Sequence, residues 1–312
     1  MKLPKSIEIL ELGPRDGFQS IKEWIPTELK LEIIDGLIKS NFKKIEITSF
    51  VHPKAIPQMK DAKEIVKIAL EKYKDIEIYA LVPNLRGAKD AFEAGISSIT
   101  YVISVSEAHN KANVNRTVEE SFEELRNLKM ELPDLKIKLD LATVFGCPFL
   151  GDVSYEKVKY AINKGIEAKV DEICLCDTIG IANPLQMHNL LSNIKTDFPD
   201  IHFSLHLHDT RGMGLANTLV AIEHGINEFE TSVGGLGGCP FAPGAAGNIS
   251  SEDLIFMLEK MNINTGINLN QLLLTTKIVK DKVKSDLTGH LAYVKEPYGA
   301  IAGVETNNLC IN

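Results

Sequence analysis

Two histidines that stand two positions apart have the type and spacing of metal ligands. His206 and His208 lie in the segment His-Leu-His-Asp, at the end of a predicted strand. Side chains alternate between the two faces of a strand, so both imidazoles point to the same side, where neutral ring nitrogens can bind one cation. The pair alone is weak evidence, because histidines also occur on strands by chance.

Oxygen donors complete a candidate site. Asp16 follows the first predicted strand, in the segment Gly-Pro-Arg-Asp-Gly (residues 13–17), and Asn248 follows the last one. Two nitrogens with carboxylate and amide oxygens suit Mg2+ or Mn2+, with Zn2+ as the alternative. The segment also fits an ordinary turn in which Asp16 bonds its own backbone. That interpretation does not explain why Arg15 stands beside Asp16.

Three further residues could carry catalysis. Arg15 offers a permanently charged guanidinium that could stabilise an oxyanion, or form a surface salt bridge. Glu46, at the end of the short second strand, could orient Arg15 or a substrate hydroxyl, or pair with a lysine. Cys239 lies in a glycine-rich run (residues 234–240) that suits a loop closing over a substrate. Its thiol could deliver or accept a proton, although structural cysteines are commoner.

Eight apolar segments alternate with stretches of helical periodicity, which predicts a (β/α)8 TIM barrel. The strands are predicted near Ile7–Leu12, Lys44–Ile47, Ile76–Leu81, Ser98–Ile103, Ile137–Val144, Glu172–Leu175, His202–Leu207 and Glu228–Ser232. Helices are predicted near Thr27–Lys39, Lys60–Lys72, Leu85–Glu93, Val118–Leu132, Tyr155–Ala168, Pro184–Lys195, Gly214–His224 and Ser251–Met261. A Rossmann-type open sheet is the alternative, but no Gly-x-Gly-x-x-Gly follows the first strand.

The barrel prediction divides the chain and explains where the reactive residues lie. Residues 1–263 form the predicted catalytic barrel, and residues 264–312 a helix near Leu269–Val283 and a tail packed on the barrel. In such barrels the loops after the strands share one face, which holds the active site. The candidate residues do follow predicted strands, so we expect them to meet there.

Composition excludes several classes of protein. The 312 residues carry a formal net charge of −8, so no global positive field attracts nucleic acid or anionic lipid. No apolar run is long enough for a membrane helix, and the first ten residues lack the apolar stretch of a signal peptide. The five cysteines are an odd, scattered set, which we interpret as free thiols. We therefore expect a cytoplasmic protein without nucleic-acid or membrane partners.

The motifs taken together resemble the 3-hydroxy-3-methylglutaryl-CoA lyase family. The motifs in order are residues 13–17, Glu-Ile-Thr-Ser-Phe-Val-His-Pro (46–53), Pro-Gln-Met (57–59), Pro-Asn-Leu (83–85), Asp-Thr-Ile-Gly (177–180), His-Leu-His-Asp-Thr (206–210) and residues 235–248. The resemblance runs from about Ile7 to Leu273. It implies metal-assisted retro-Claisen cleavage of a 3-hydroxyacyl-CoA to acetyl-CoA and a keto acid, by a homodimer.

The resemblance also assigns roles to residues. It implies that Asp16, His206, His208 and Asn248 ligate the cation, that Arg15 stabilises the enolate, and that Glu46 supports both. His206 is the implied base and Cys239 the implied acid, and Asp177 joins the catalytic set. The implied substrate-binding residues are Arg15, Asn84, Asn113, Asn115, Asp140, Thr178, Arg211 and Glu252.

Five positions depart from the family pattern, and two of them, Cys174 and Cys176, replace smaller or hydroxylated residues. Asp140 and Ala142 stand where these lyases carry Tyr and Ser, and Arg211 stands where they commonly carry Tyr. An inward Asp140 would repel a substrate carboxylate unless Arg211 neutralised it. Another branched substrate such as citramalyl-CoA is therefore an alternative to hydroxymethylglutaryl-CoA. A condensing enzyme that joins acetyl-CoA to a 2-keto acid is a second alternative, and a barrel without catalysis a third.

Overall fold

The computed structural model describes residues 3–238 and 247–294. Eight parallel strands close into a barrel in chain order, with the first strand paired to the eighth, which confirms the predicted TIM barrel. The strands are β1 (Glu8–Glu11), β2 (Lys44–Ser49), β3 (Glu77–Val82), β4 (Ser98–Ser104), β5 (Lys136–Ala142), β6 (Glu172–Asp177), β7 (Phe203–Leu207) and β8 (Glu228–Thr231).

Helices connect the strands around the outside of the barrel. They are α1 (Thr27–Lys39), α2 (Ala62–Lys72), α3 (Leu85–Glu93), α4 (Glu107–Val114), α5 (Val118–Glu131), α6 (Tyr155–Glu167), α7 (Pro184–Asp197), α8 (Gly214–Glu223), α9 (Ser251–Lys260) and α10 (Leu269–Lys282). The sequence did not predict α4. This helix has few apolar residues, and it is fixed by an amino-terminal cap at Ser106 and a left-handed residue, Asn115, at its other end.

Strand β5 alternates between an apolar outer face and a polar inner face. In β5, Ile137, Leu139 and Leu141 belong to the apolar core between strands and helices. Lys138 and Asp140 face inward, where Lys138 reaches Glu230 on the far side of the barrel. These buried ion pairs place charged groups close to the barrel axis, beside a separate apolar cluster of Leu10, Leu12 and Tyr79.

Ion pairs occupy the amino-terminal end of the barrel. Lys44 Nζ lies 2.7 Å from Glu228 Oε1, and Lys136 Nζ lies 2.7 Å from Glu77 Oε1. The Tyr79 hydroxyl also donates to Glu77. These contacts lie at the opposite end of the strands from the predicted catalytic face.

The segment after residue 263 packs on the start of the barrel. Helix α10 lies against α1, where a Cβ on Gly36 would come within 2.5 Å of Thr275 Oγ1. Lys282 Nζ forms an ion pair of 2.7 Å with Glu32. Among the helices of residues 3–238 and 247–294, none has the length and apolar character needed to cross a bilayer.

A buried ion pair beside α1 gives a test of the fold. The Lys30 ammonium is 2.8 Å from Asp61 Oδ1, and both side chains are buried. Asp61→Ala would leave a buried charge without its partner, and we expect a loss of about 3–5 kcal/mol in unfolding free energy, measured by urea denaturation. Asp90→Ala breaks the exposed pair with Lys63 and should cost at most about 1 kcal/mol. Equal costs would contradict this assignment.

Candidate active site

A cavity of about 470 Å³ opens at the carboxyl ends of the strands. Eight of the residues selected from the sequence line it, namely Arg15, Asp16, Asn84, Asn113, Asp140, Thr178, His206 and His208. The barrel thus brings together side chains from segments that are up to 193 residues apart, from Arg15 to His208. Such a concave, polar-lined site is the default location for binding and catalysis in this fold.

A tight turn after β1 positions Arg15 and Asp16. Residues Gly13–Gly17 form a single π-helical turn, in which the amides of Arg15 and Asp16 donate to the carbonyl of Leu12. The Arg15 guanidinium donates through Nε to Glu46 and through one terminal nitrogen to Asp16 Oδ1, at 2.5 Å for the latter. Burial lowers the pKa of Arg15, but both carboxylates outweigh burial and raise it. The guanidinium is therefore a fixed positive charge at the cavity wall.

The two histidines meet Asp16 in one cluster. Nε2 of His206 lies 3.0 Å from Nε2 of His208, and the ligand atoms of all three residues lie within 4.8 Å of one another. Asn248 donates to Asp16 Oδ2 at 2.6 Å. Within the described part of the chain, His208 Nδ1 and Asn248 Oδ1 are buried without a hydrogen-bond partner. Buried polar atoms normally have partners, so this donor set fits a cation.

Electrostatics distinguish the two imidazoles. Burial lowers the pKa of His206, but the hydrogen bond and charge of Glu230 outweigh burial and raise it. Burial and the neighbouring His206 lower the pKa of His208 to about 3. His208 is therefore neutral near pH 7, the form that a metal ligand requires.

The sequence reasoning missed Glu230. Its Oε2 lies 2.8 Å from His206 Nδ1, because β7 and β8 pair with His206 opposite Glu230. Period-two alternation along β8 is a sequence signal that places Glu230 on an inward position. The alternation does not say which residue it meets, since that depends on the register between the two strands.

Lys138, also missed, neutralises Asp140. Lys138 Nζ lies 2.6 Å from Asp140 Oδ1 and also contacts Glu230. Burial and the charge of Glu230 raise the pKa of Asp140 to about 7. Arg211 donates to the backbone carbonyls of Ile179 and Gly180. Of the two cationic side chains, Lys138 and not Arg211 is therefore the one that pairs with Asp140.

Asp177 and Thr178 shape the loops beside the cavity. The Asp177 carboxylate accepts from the amides of Ile181 and Ala182, at 3.0 and 2.9 Å. The Thr178 hydroxyl accepts from the amide of Thr143 at 2.8 Å. Asp177 is buried and lies behind the residues that line the cavity. Its position suits orienting the loop after β6.

The predicted asparagines separate into two groups. Asn84 caps α3 by accepting from the amide of Gly87, and it lines the cavity, as does Asn113. Asn115 ends α4 with a φ of 57° and is not part of the cavity wall. A left-handed position of this kind favours asparagine or glycine, which gives Asn115 a structural reason for its presence.

Two buried carboxylates hold the loop after β8, and one of them, Glu11, also holds the loop after β1. Glu11 Oε1 accepts from the amides of Gly13 and Val233, both at 2.8 Å. Glu252 Oε2 accepts from the amide of Gly234 at 3.0 Å, so it faces the loop instead of the cavity. Burial raises the pKa of both carboxyls to about 7. The sequence reasoning missed Glu11.

The segment after α10 supports the same loop. The amides of Thr288 and Gly289 donate to the carbonyl of Gly234 at 2.9 and 3.0 Å, and Leu287 packs on Gly234. The loop continues through Gly238, which lines the cavity. The predicted acid, Cys239, is the next residue and lies outside the described residues.

The buried cysteines near the cavity are free thiols. Cys174 and Cys176 lie within 4.8 Å of Asp140, and burial raises the pKa of Cys176 to about 11. Cys147 contacts the Ser106 hydroxyl at 3.0 Å. Cys174 and Cys176 therefore pack as neutral thiols in the barrel wall, which agrees with the prediction of free thiols.

Comparisons with known proteins agree with this geometry. The HMGL-like family model matches residues 6–279. The chain is 43% identical over 289 residues to the hydroxymethylglutaryl-CoA lyase YngG of Bacillus subtilis (strain 168), covering 92% of this chain and 96% of that one. It is 40% identical over 273 residues to the mitochondrial hydroxymethylglutaryl-CoA lyase of Homo sapiens, covering 87% of this chain and 84% of that one.

Solved structures give the same result. A crystal structure of Bacillus subtilis HMG-CoA lyase has a TM-score of 0.89 and 42% identity, covering 93% of this chain and 98% of that one. An Acinetobacter baumannii HMG-CoA lyase in complex with coenzyme A and 3-methylmalate has a TM-score of 0.88 and 37% identity, covering 96% and 97%. The chain belongs to the HMGL-like family and is a carbon–carbon lyase of the hydroxymethylglutaryl-CoA lyase type.

Proposed function

We propose that this lyase cleaves 3-hydroxy-3-methylglutaryl-CoA to acetyl-CoA and acetoacetate, with a divalent cation held by Asp16, His206, His208 and Asn248. The observation that carries the proposal is the convergence of these four residues and Arg15 at the carboxyl end of the barrel. The curated relatives support the substrate, since their names specify hydroxymethylglutaryl-CoA.

Mixed nitrogen and oxygen donors suit Mg2+ or Mn2+, with Zn2+ as the alternative. When bound, the cation would polarise the tertiary hydroxyl of the substrate and ease loss of its proton. Asp16 supplies the anionic oxygen, and Asn248 a neutral one that is buried without a partner. The protein's part is to hold these donors in place and to shield them from water.

His206 has a single lone pair to offer. Because its Nδ1 faces the Glu230 carboxylate, any proton that His206 takes from the substrate hydroxyl must arrive at Nε2. The same atom faces His208 and the cation site. A proton and a cation compete for one lone pair, so His206 acts as the base only in a step in which Nε2 is free.

Arg15 stabilises the negative charge that develops when the carbon–carbon bond breaks. The electrons of that bond pass to the departing acetyl group, whose thioester oxygen becomes an enolate. A fixed guanidinium stabilises such an oxygen without reorganising during the reaction. Glu46 and Asp16 hold Arg15 in place from two sides, which supports this role.

Cys239 protonates the acetyl-CoA carbanion in this proposal. Gly238, the residue before it, lines the cavity, which supports a thiol near the substrate. The base of its loop is held by Glu252, Glu11 and the segment after α10. The described part of the loop is therefore fixed up to Gly238, the residue before Cys239.

The first test is release of CoA products by the purified protein with Mg2+ or Mn2+. We expect rapid cleavage of hydroxymethylglutaryl-CoA, and strong loss of cleavage in Cys239→Ala and in His206→Ala. Parallel reactions contain citramalyl-CoA, or acetyl-CoA with a 2-keto acid. Cleavage of citramalyl-CoA but not of hydroxymethylglutaryl-CoA would identify citramalyl-CoA as the substrate. Condensation without any cleavage would identify a condensing enzyme. No reaction in any arm, with bound metal confirmed, would contradict catalysis.

Substitution of Asp140 tests whether this residue affects the choice of acyl-CoA substrate. Lys138 already neutralises Asp140, so Asp140→Asn should change kcat/KM for hydroxymethylglutaryl-CoA by less than about 10-fold, the effect of roughly one weak contact. Steady-state kinetics of both proteins with both acyl-CoA substrates measure this. A rise of two orders of magnitude for hydroxymethylglutaryl-CoA would show that Asp140 excludes that substrate and favours another.

We also propose that the protein is a homodimer in the cytoplasm. The dimer rests on the family resemblance, and light scattering of the purified full chain would test it. The acyl-CoA is the proposed small-molecule partner. The A. baumannii relative, which was crystallised with coenzyme A, supports that class of ligand.

A further inference from the structure

Glu230 lies inside the barrel, where it contacts one metal-ligand candidate and one lysine. Its Oε2 is 2.8 Å from Nδ1 of His206, and its Oε1 contacts the ammonium of Lys138. Only 2% of Glu230 and 1% of Lys138 are exposed. Since both oxygens have partners, the carboxylate cannot rotate without breaking a buried contact.

Lys138 determines which carboxylate oxygen of Glu230 faces His206. Its ammonium also binds Asp140 Oδ1 at 2.6 Å, and the lysine comes from β5, across the barrel from β8. Glu230 Oε1 is thereby occupied, and Oε2 is left for the imidazole. The register of β7 against β8 places His206 and Glu230 side by side, so the contact is built into the sheet.

A carboxylate at Nδ1 determines which nitrogen of His206 keeps its lone pair. It accepts the Nδ1 hydrogen, so Nε2 carries the lone pair. Nε2 is the atom that lies 3.0 Å from His208 Nε2, in the cluster with Asp16. The hydrogen bond also fixes the plane of the ring, because the ring cannot turn without losing it.

We propose that Glu230, held by Lys138, is the positioning residue of the metal site, which fixes the tautomer and orientation of His206 so that Nε2 binds the cation. The inference rests on the proposed function for the existence of a bound cation. It adds that two residues of the barrel interior, neither of them a ligand, control the affinity for that cation.

A purely structural role is the competing interpretation. A buried ion pair by itself is weak evidence for stability, since the cost of desolvation can exceed the Coulombic gain. A structural role predicts a change in the melting temperature and an unchanged affinity for metal. The positioning role predicts weaker metal binding in a protein that still folds.

The experiment measures the Kd of Mn2+ by isothermal titration calorimetry. Glu230→Leu removes the acceptor but leaves Lys138 paired with Asp140, and Glu230→Gln keeps a neutral acceptor. We expect Kd to rise by about 10- to 100-fold for Glu230→Leu, with a smaller rise for Glu230→Gln. The matched control is Glu228→Gln, on the same strand and face but paired with Lys44 at the far end. Its Kd should equal that of the wild type.

A spectroscopic readout separates positioning from packing. In the metal-free wild type, at a pH high enough to keep His206 neutral, 15N shifts of labelled histidine should show His206 with its hydrogen on Nδ1, and the Glu230→Leu protein should shift toward the other tautomer. Unchanged Kd and tautomer in a folded Leu variant would overturn the inference. If the Leu variant fails to fold, an unchanged Kd in Glu230→Gln would overturn it. Absence of Mn2+ binding by the wild type would instead overturn the proposed metal site.

Discussion

Arg15→Gln is expected to lower kcat for hydroxymethylglutaryl-CoA by about 10²- to 10³-fold, the usual effect of losing one preorganised oxyanion donor. The fully buried Glu46 and the cavity-lining Asp16 hold the guanidinium, so its charge is in place before the reaction. Glutamine keeps much of the length but has no positive charge. Because the interaction is made in the transition state, KM should change little. Steady-state kinetics at saturating Mn2+ measure both constants.

Two further substitutions check this prediction. Arg15→Lys keeps the charge but loses the fork that reaches Glu46 and Asp16 together, so it should recover only part of the activity. Arg126→Gln removes a half-buried guanidinium on α5, paired with Glu119 and far from the cavity residues, and should retain full activity. If Arg15→Gln raised KM with kcat unchanged, Arg15 would bind the ground state of the substrate and not the enolate.

The barrel could be predicted because each strand and helix carries its own local pattern. Ile137, Leu139 and Leu141 alternate with polar residues in β5, and β2 and β7 show a similar alternation. Eight such repeats leave few alternatives to a closed barrel. Helix α4 escaped prediction because it has no continuous apolar stripe, and its ends are set by capping residues at Ser106 and Asn115.

Some residues of the candidate site could be predicted from local sequence, whereas others depend on contacts between distant strands. Arg15, Asp16, His206 and His208 could be selected because they follow strands, and a barrel brings such residues to one face. Glu230 and Lys138 could not be assigned partners, since their contact joins β5 to β8 and depends on strand register and barrel diameter.

Residue type alone also could not predict which groups Arg211 and Glu252 contact. Both are charged and follow strands, as the cavity residues do, yet both bind loop backbone. Their direction depends on the exact path of the loops after β6 and β8. Charged residues near an active site can therefore shape its loops instead of touching the substrate.

The charges of the side chains around the cavity favour binding of a cation. Four carboxylates, those of Asp16, Glu46, Asp140 and Glu230, face two cationic side chains, Arg15 and Lys138. Burial raises the pKa of Asp140 to about 7, so this carboxyl is only partly ionised near neutral pH, and with both histidines neutral the group carries between one and two negative charges in excess. Uncompensated charge is costly to bury. A divalent cation at the two imidazoles would balance this excess, an argument independent of any single ligand.

Asp16→Asn follows from this charge balance as the second prediction of large effect. The change removes the anionic ligand and with it one negative charge, while Asn keeps the size of the side chain and a hydrogen-bonding oxygen for Arg15 and Gln19. Loss of a residue that hydrogen-bonds a metal ligand lowers metal affinity by about 10- to 100-fold. Asp16 is itself a proposed ligand, so we expect a larger fall in the affinity for Mn2+, with cleavage lost in parallel. Calorimetry and the CoA-release assay measure the two quantities.

A chelation series distinguishes loss of metal from loss of fold in the Asp16→Asn protein. Dialysis of the wild type against a chelator should abolish cleavage, and added Mn2+ should restore it, whereas the same Mn2+ concentration should not restore Asp16→Asn. Asp35→Asn, which alters an aspartate paired with Lys39 on the outer helix α1, should behave as the wild type does. Wild-type affinity for Mn2+ in Asp16→Asn would show that the cation is held elsewhere, because no neutral oxygen at this position replaces the missing charge.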